Sequence, residues 1–386
     1  MAKRKRQANK TSEKSKKQKV PTKNEEYAYL KEKQDPMPEV YTKKPPQPTE
    51  KKIGQLTESQ VNQFFDKGFV LVKDFFAPHR LDVVREAVNK LVDTVANKLY
   101  KAGKIQNKHE DKGFNDRLTH LEKEFKGTAV ILHKMGILPK EFQDLWSDEK
   151  LLNVAEQLVG PELAGHPVWN LRTKTPHNEQ TTVPWHQDNA YLEPCSLEVM
   201  QLTAWIPLVD ANMVNGCMQV ASGGHKKGFT AKHTCCAGGT WYVQLSEEAM
   251  VDELGVDLKK DIVTCEVPYG GVLFLNNAVP HQSLENQSEI IRWSLDLRWQ
   301  KPDKPNGFYS LKDSVLMRTK KDKDYKINWD KMANTDRTKL QMEKLDEDND
   351  DLTPEIGGPW MKRWEIVHHN RHTESLQGNT TSWHKA

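Results

Sequence analysis

Residues 265–299 read CEVPYGGVLFLNNAVPHQSLENQSEIIRWSLDLRW. Val272 to Leu275 make an apolar run entered through Tyr269-Gly270-Gly271, the pattern of a buried strand behind a turn. His281 follows Pro280 at the end of a strand. From Ile291 onward the residues alternate, with Ile291, Trp293, Leu295, Leu297 and Trp299 on one face and Arg292, Ser294, Asp296 and Arg298 on the other. A row of charged side chains on the inner face of a strand is costly unless that face lines a site. Arg292 stands eleven residues after His281, enough chain to leave through a loop and return beside it. There its guanidinium would offer a two-pronged contact to a carboxylate, unless Asp296 or another acid of the chain takes it.

A second stretch, VPWHQDNAYLEP at 183–194, places His186 and Asp188 two residues apart. Alternate residues of a strand point to one face, so both side chains can reach one point in space. An imidazole with a carboxylate suits a divalent ion of intermediate hardness, Fe(II) among others. Alone, a His near an Asp is more often an ordinary surface pair. Adding His281 makes two imidazoles and one carboxylate, the facial donor set of non-haem Fe(II) oxygenases, which leaves coordination positions open. A 2-oxo acid would chelate through those positions with dioxygen taking the last, and the far carboxylate of 2-oxoglutarate would need a buried cation. Arg292 is the candidate.

Upstream the texture is helical. In LTESQVNQFFDKGF, Thr57 and Gln60 form a capping box and Val61, Phe64 and Phe65 recur at helical spacing, with Gly68 as the stop and a short strand over 69–75. Pro78 opens a helix with Leu81, Val84, Ala87, Leu91 and Val95 on one stripe, and Ser147 is the N-cap candidate of another over about 148–159. From Ala164 to about 300 the chain breaks into short β-like runs punctuated by Gly, Pro and Asn. Helices first and strands afterwards predict a mainly β fold with flanking helices, an all-β core on an N-terminal helical buttress.

The 386 residues carry 57 Lys plus Arg against 54 Asp plus Glu, unevenly placed. Residues 1–53 hold sixteen basic and seven acidic residues, so residues 54–386 are net acidic, at 41 against 47. A globally basic nucleic-acid-binding fold is thereby disfavoured. Residues 1–53 are polar and Pro-rich and read as a disordered tail. Its KRKR at 3–6 and KSKKQK at 14–19 suit a nuclear address, a contact to nucleic acid or plain solubilisation. No apolar run is long enough to span a membrane, and no secretory signal opens the chain. Five cysteines, with no CxxC pair, argue against a disulfide framework and for a reduced, intracellular protein. Beyond Lys301 the chain turns polar, with an acidic loop at 342–351 and a C-terminal segment, GGPWMKRWEIVHHNRHTES, whose tryptophans are expected to pack on the core. The domain expectation is a tail over 1–53, a catalytic domain over 54–300 and an extension over 301–386.

Taken together, LTESQVNQFFDKGFVLVKDFF, WHQDNAYL, AWIPLVDAN, NGCMQVASGGHKKG and PHQSLENQSEIIR resemble the phytanoyl-CoA dioxygenase family of Fe(II)/2-oxoglutarate-dependent oxygenases, over roughly residues 55–300. The resemblance implies a double-stranded β-helix, a jelly-roll or cupin-like barrel with iron at its mouth. It implies His186, Asp188 and His281 as iron ligands and Arg292 as the 2-oxoglutarate anchor. Trp205, Ser283 and Asn170 are further candidates for cosubstrate contact, with Arg172 and Lys174 alternating with Asn170 towards substrate. The expected reaction is hydroxylation of a small molecule through a ferryl intermediate, releasing succinate and CO2. Asp188 argues against halogenation, since a halide needs the position that Gly or Ala leaves vacant. Segment 231–250 is expected to shape the substrate pocket. Family members in peroxisomes carry a targeting signal and this chain ends SWHKA, so an acyl-CoA role there is not expected. The competing reading is a catalytically silent barrel acting as a binding module, its basic tail contacting nucleic acid or a partner.

Overall fold

Thr57 Oγ1 accepts from the backbone of Gln60 while the Gln60 side chain accepts from the backbone of Thr57, closing the reciprocal cap that the sequence predicts. That cap starts a helix that ends at Gly68, whose φ of 85° is the left-handed stop a glycine adopts without strain. The computed structural model describes residues 28–31, 34–333 and 352–374. Seven helices precede the β region: α1 (Pro38–Thr42), α2 (Glu58–Lys67), α3 (Pro78–Lys101), α4 (Arg117–Glu124), α5 (Thr128–Met135), α6 (Lys140–Trp146) and α7 (Glu149–Leu158). The cap of α7 is Asp148 rather than Ser147, its carboxylate accepting from Lys150.

Among the described residues the strands are β1 (Phe69–Val72), β2 (Leu163–Gly165), β3 (Asn170–Lys174), β4 (Leu202–Pro207), β5 (Met218–Ala221), β6 (His233–Cys235) and β7 (Val243–Leu245). They continue with β8 (Ile262–Cys265), β9 (Val272–Asn276), β10 (His281–Ser283), β11 (Arg292–Gln300), β12 (Val315–Arg318) and β13 (Glu365–Ile366). The main sheet runs β1-β9-β4-β11-β2-β12, with β3 also paired to β11. A smaller sheet runs β10-β5-β8, and a third joins β13 to β6 and β7. Every pairing is antiparallel except β13 with β6.

The alternation read in 291–299 decides how the main sheet packs. Ile291, Trp293, Leu295, Leu297 and Trp299 join one core with Leu81, Val84 and Leu91 of α3 and Phe142 and Trp146 of α6. Two indoles on this layer keep their N–H groups satisfied, Trp293 donating to Phe114 O and Trp146 to Arg298 O. The opposite face of β11 carries Arg292, Ser294, Asp296 and Arg298, all buried. The helices therefore buttress one face of the sheet and free the other for a polar interior.

Three expectations need correction. Order begins before residue 54, because Tyr41 is fully buried and donates to Leu197 O. A lone aromatic in a polar stretch has no periodicity to announce it. Cys235 and Cys236 are disulfide-bonded to each other, so the chain is not fully reduced; the bridge joins adjacent residues and ties no distant segments together. The strand expected over 69–75 stops at Val72. Both basic clusters, at 3–6 and 14–19, and the acidic run at 342–351 lie outside the described residues. None of the described helices is long and apolar enough to cross a membrane.

Candidate active site

His186 and His281 face each other across an isolated antiparallel bridge, exchanging both backbone hydrogen bonds at 3.0 Å. Directly opposed residues send their side chains to the same face, and the two ring centroids lie 4.2 Å apart. Each ring is oriented from behind: His186 Nδ1 lies 2.8 Å from Pro184 O, and His281 Nδ1 lies 3.0 Å from Val279 O. Those contacts put the ring protons on Nδ1 and leave both Nε2 lone pairs aimed into the site.

Asp188 completes the group by a route other than strand alternation. The chain turns after Gln187, and Asp188 opens a short 3-10 helix, Asp188–Tyr191. Its Oδ1 lies 3.5 Å from His186 Nε2 and 3.8 Å from His281 Nε2, and the three ligand atoms all fall within 4.8 Å of one another. Oδ2 is turned away and held by Arg298, with Nη2 at 3.0 Å and Nε at 3.3 Å, and by the Thr203 hydroxyl at 3.4 Å. Burial works to raise the Asp188 carboxyl, and the Arg298 guanidinium beside it acts in the opposite sense, holding the group well below the usual carboxylate range. Burial and the neighbouring His186 push His281 down to about 4, so it stays a neutral donor at physiological pH. Two imidazole nitrogens and one carboxylate oxygen are the donor set that suits a ferrous ion, and these residues could hold one.

From His186 and His281 a cavity extends past Trp205, Met218 and Ser283 to Arg292 and Lys174. Arg292 does not pair with Asp296. Its Nη1 donates to Ser294 Oγ at 2.8 Å and its Nη2 to Gly216 O at 3.0 Å, its Nε has no partner, and it lies 5.1 Å from the Trp205 ring. Among the described residues no carboxylate is in ion-pair reach of it. Burial pushes its pKa down to about 10, the signature of a cation awaiting a counter-charge. Gly216 is required for this arrangement: a Cβ there would meet Leu284 O at 2.5 Å and Lys174 Cδ at 2.6 Å. Ser283 Oγ accepts from Val183 N, which leaves its proton for a ligand.

Asn170 is not part of this group. It lines an adjoining cavity instead, near Asp296 and Arg298. Lys174, read from the sequence as facing substrate, sits beside Arg292, opposite it in the β3–β11 register. Burial and then Arg292 push its ammonium well below its ordinary range. Arg298 is the residue whose role the sequence hid: its place on the charged face was legible, but not its pairing with Asp188.

The adjoining cavity is open to solvent and shares His133, Arg172, Trp241, Tyr242 and Arg298 with the first. Trp241 and Tyr242 come from segment 231–250.

An assembled two-histidine, one-carboxylate group opening on a cavity with an unpaired guanidinium defines the non-haem Fe(II)/2-oxoglutarate-dependent oxygenases, and this chain is such an enzyme, with iron as cofactor and 2-oxoglutarate as cosubstrate. It belongs to the phytanoyl-CoA dioxygenase family, whose family model, phytanoyl-CoA dioxygenase (PhyH), matches residues 64–294. The phytanoyl-CoA dioxygenase domain-containing protein 1 homolog of Dictyostelium discoideum is 22% identical over 289 residues, covering 69% of this chain and 98% of that one. Phytanoyl-CoA dioxygenase of Arabidopsis thaliana is 25% identical over 290 residues, covering 69% and 95%. The 1-deoxypentalenic acid 11-beta-hydroxylase of Streptomyces arenae is 28% identical over 182 residues, covering 44% and 60%. Among solved structures, EctD from S. alaskensis with 2-oxoglutarate and 5-hydroxyectoine gives a TM-score of 0.49 at 16% identity, covering 75% of this chain and 88% of that one.

Proposed function

We propose that the protein hydroxylates a C–H bond of a small organic molecule, with His186, Asp188 and His281 as the iron ligands and Arg292 as the anchor of the distal 2-oxoglutarate carboxylate. The observation that carries this reading is the shared cavity: the two imidazoles line one part of it and the unpaired Arg292 another. A ferrous ion bound there supplies dioxygen activation coupled to oxidative decarboxylation of the 2-oxo acid.

The chain's own residues do the rest. Arg292 and Lys174 offer the buried positive charge that one carboxylate needs, and Ser283 offers a hydroxyl donor in the same cavity. Trp205, Met218 and Leu275 line the space between and keep it dry. Asp188 occupies the position that a halide would need, which favours hydroxylation over halogenation. Arg298 and Thr203 fix the carboxylate so that one oxygen alone faces the imidazoles. We further infer that the seven-stranded sheet and the β10-β5-β8 sheet are the walls of a double-stranded β-helix. The charged face of β11 and the triad bridge of β10 to the His186 segment support that reading.

The test is anaerobic titration of the full chain with Fe(II) and 2-oxoglutarate, followed by oxygen and an assay for succinate. Wild type is expected to bind the 2-oxo acid only with metal present and to release succinate. His186→Ala is expected to do neither while keeping its melting temperature. Succinate release by His186→Ala at the wild-type rate would refute the reading.

A further inference from the structure

The second cavity is walled by the rings of Tyr191, Trp241, Tyr242 and Trp360. Trp360 comes from 352–374, a segment beyond the family-matched residues 64–294. That segment is fastened to the loop carrying Asp188. Arg363 donates to Asn189 O and Leu192 O, each at 2.7 Å, and Trp364 donates to Ala190 O at 2.8 Å. The strand β13 extends the β6–β7 hairpin that precedes and follows Trp241. Trp360 Nε1 donates to Trp241 O, and its ring lies 6.2 Å from that of Tyr191. The C-terminal segment therefore supplies one wall of the space beside the triad and holds the triad's own loop.

The charge of the paired cavities is one-sided. Lys134, Arg172, Lys174, Arg292 and Arg298 line them against two carboxylates, Asp188 and Asp296. The charges of a ferrous ion and of 2-oxoglutarate cancel, so the surplus persists when both are bound. Most of these cations are committed. All three nitrogens of Arg298 are used, on Asp188 and Val168 O. Lys134 donates to Thr353 O, and Arg292 and Lys174 lie in the other cavity. Arg172 commits Nε to Asp296 at 2.8 Å and also meets the Tyr242 hydroxyl, and its side chain lines both cavities. An aromatic enclosure can also hold a cation, but the basic surplus opposes one here.

We propose that this cavity takes a compact molecule with a flat or ring-shaped apolar body and a single carboxylate, the body lying against Trp360, Trp241 and the two tyrosines and the carboxylate on Arg172. The proposal rests on the oxygenase reading above and narrows its substrate class. Ring faces stabilise a flat apolar body by offset stacking, and a guanidinium still has N–H donors to spare for a carboxylate after meeting one acid and one hydroxyl.

Calorimetric titration of the full chain, loaded with Co(II) and 2-oxoglutarate under nitrogen, tests it with 2-naphthoate, 2-naphthamide, 2-naphthylmethylamine and the flexible acid decanoate as probes. Naphthoate is expected to bind about tenfold tighter than the amide and tighter than the amine or decanoate. Removing Arg172 alone would strand Asp296, so the variant is Arg172→Met combined with Asp296→Asn, expected to bind acid and amide alike. Trp360→Leu is expected to weaken naphthoate with little effect on decanoate. Trp360→Leu, outside the first cavity, is expected to keep wild-type affinity for 2-oxoglutarate, and the urea midpoint of the double variant reports that it is folded. Equal binding of acid and amide by wild type, a preference for the amine, or no binding of any flat acid at millimolar concentration overturns the proposal. If 2-oxoglutarate itself fails to bind, the oxygenase reading falls; if it binds and the probes show no acid preference, only the substrate class falls.

Discussion

Arg298 Nη2 lies 3.0 Å from Asp188 Oδ2, the oxygen that the two imidazoles do not face. The carboxylate is thereby divided, with Oδ1 presented to His186 and His281 and Oδ2 held by a guanidinium whose third nitrogen is fixed on Val168 O. Partners behind a metal ligand orient it, and losing them typically lowers metal affinity about 10- to 100-fold. Arg298→Met is expected to weaken Co(II) binding within that range while Arg298→Lys recovers part of it. Titration by visible absorption checks both, and unchanged affinity in Arg298→Met would reduce this arginine to a packing role.

The same pair separates the ligand variants. Asp188→Ala removes a proposed ligand and leaves Arg298 buried without its partner, a change that costs about 3–5 kcal/mol. His186→Ala removes a neutral ring and strands no charge. Both are expected to abolish metal-dependent succinate release, but Asp188→Ala alone is expected to lower the urea midpoint strongly. Asp188→Asn should restore most of that stability without activity.

Arg292 and Lys174 predict a proton count. With the cavity empty, burial and the nearby Arg292 disfavour the Lys174 ammonium. A dicarboxylate entering beside them supplies the missing counter-charge, so 2-oxoglutarate binding near neutral pH is expected to draw in a proton. Calorimetry in buffers of different ionisation enthalpy reads that uptake, and Lys174→Met is expected to abolish it. Arg292→Ala is expected to raise the 2-oxoglutarate dissociation constant on the order of a hundredfold, equivalent to about 3 kcal/mol, with metal still bound.

What could be read from the sequence was whatever repeats locally. The alternation over 291–299 and the capping box at Thr57 are local patterns, and each has a structural counterpart; His186 and Asp188 do converge, but across a turn into a 3-10 helix and not along a strand. Pairings between distant segments have no such signature. Arg298 meets Asp188 across 110 residues, and Arg363 meets Asn189 across 174. Alternation also misleads where a strand passes between two spaces. Asn170, Arg172 and Lys174 share one face of β3, yet Asn170 lines one cavity, Lys174 the other and Arg172 both. Tyr41 is a lone aromatic in a polar stretch, so composition averaged over a window describes the stretch and misses the anchor, whereas the tryptophans of the C-terminal segment pack as expected.

His225 predicts how the fold responds to acid. Its Nε2 lies 3.1 Å from Phe65 O and Nδ1 has no partner, so a proton added there would bury an uncompensated charge. Burial pushes its pKa down to about 4, against an ordinary value near 6.5. Between those values the unfolded chain binds a proton that the folded chain refuses, so stability falls as pH drops from about 6.5 towards 4, by about 3 kcal/mol at the lower end. His166, buried and likewise pushed down to about 4, adds to the slope in the same direction. His225→Gln keeps an N–H for Phe65 O and removes the titration. Urea unfolding followed from neutral to mildly acidic pH is expected to show a slope shallower by up to one proton in this variant. An identical slope would mean that the ring is already charged in the folded state, and that the dry pocket behind Gly68 is wet.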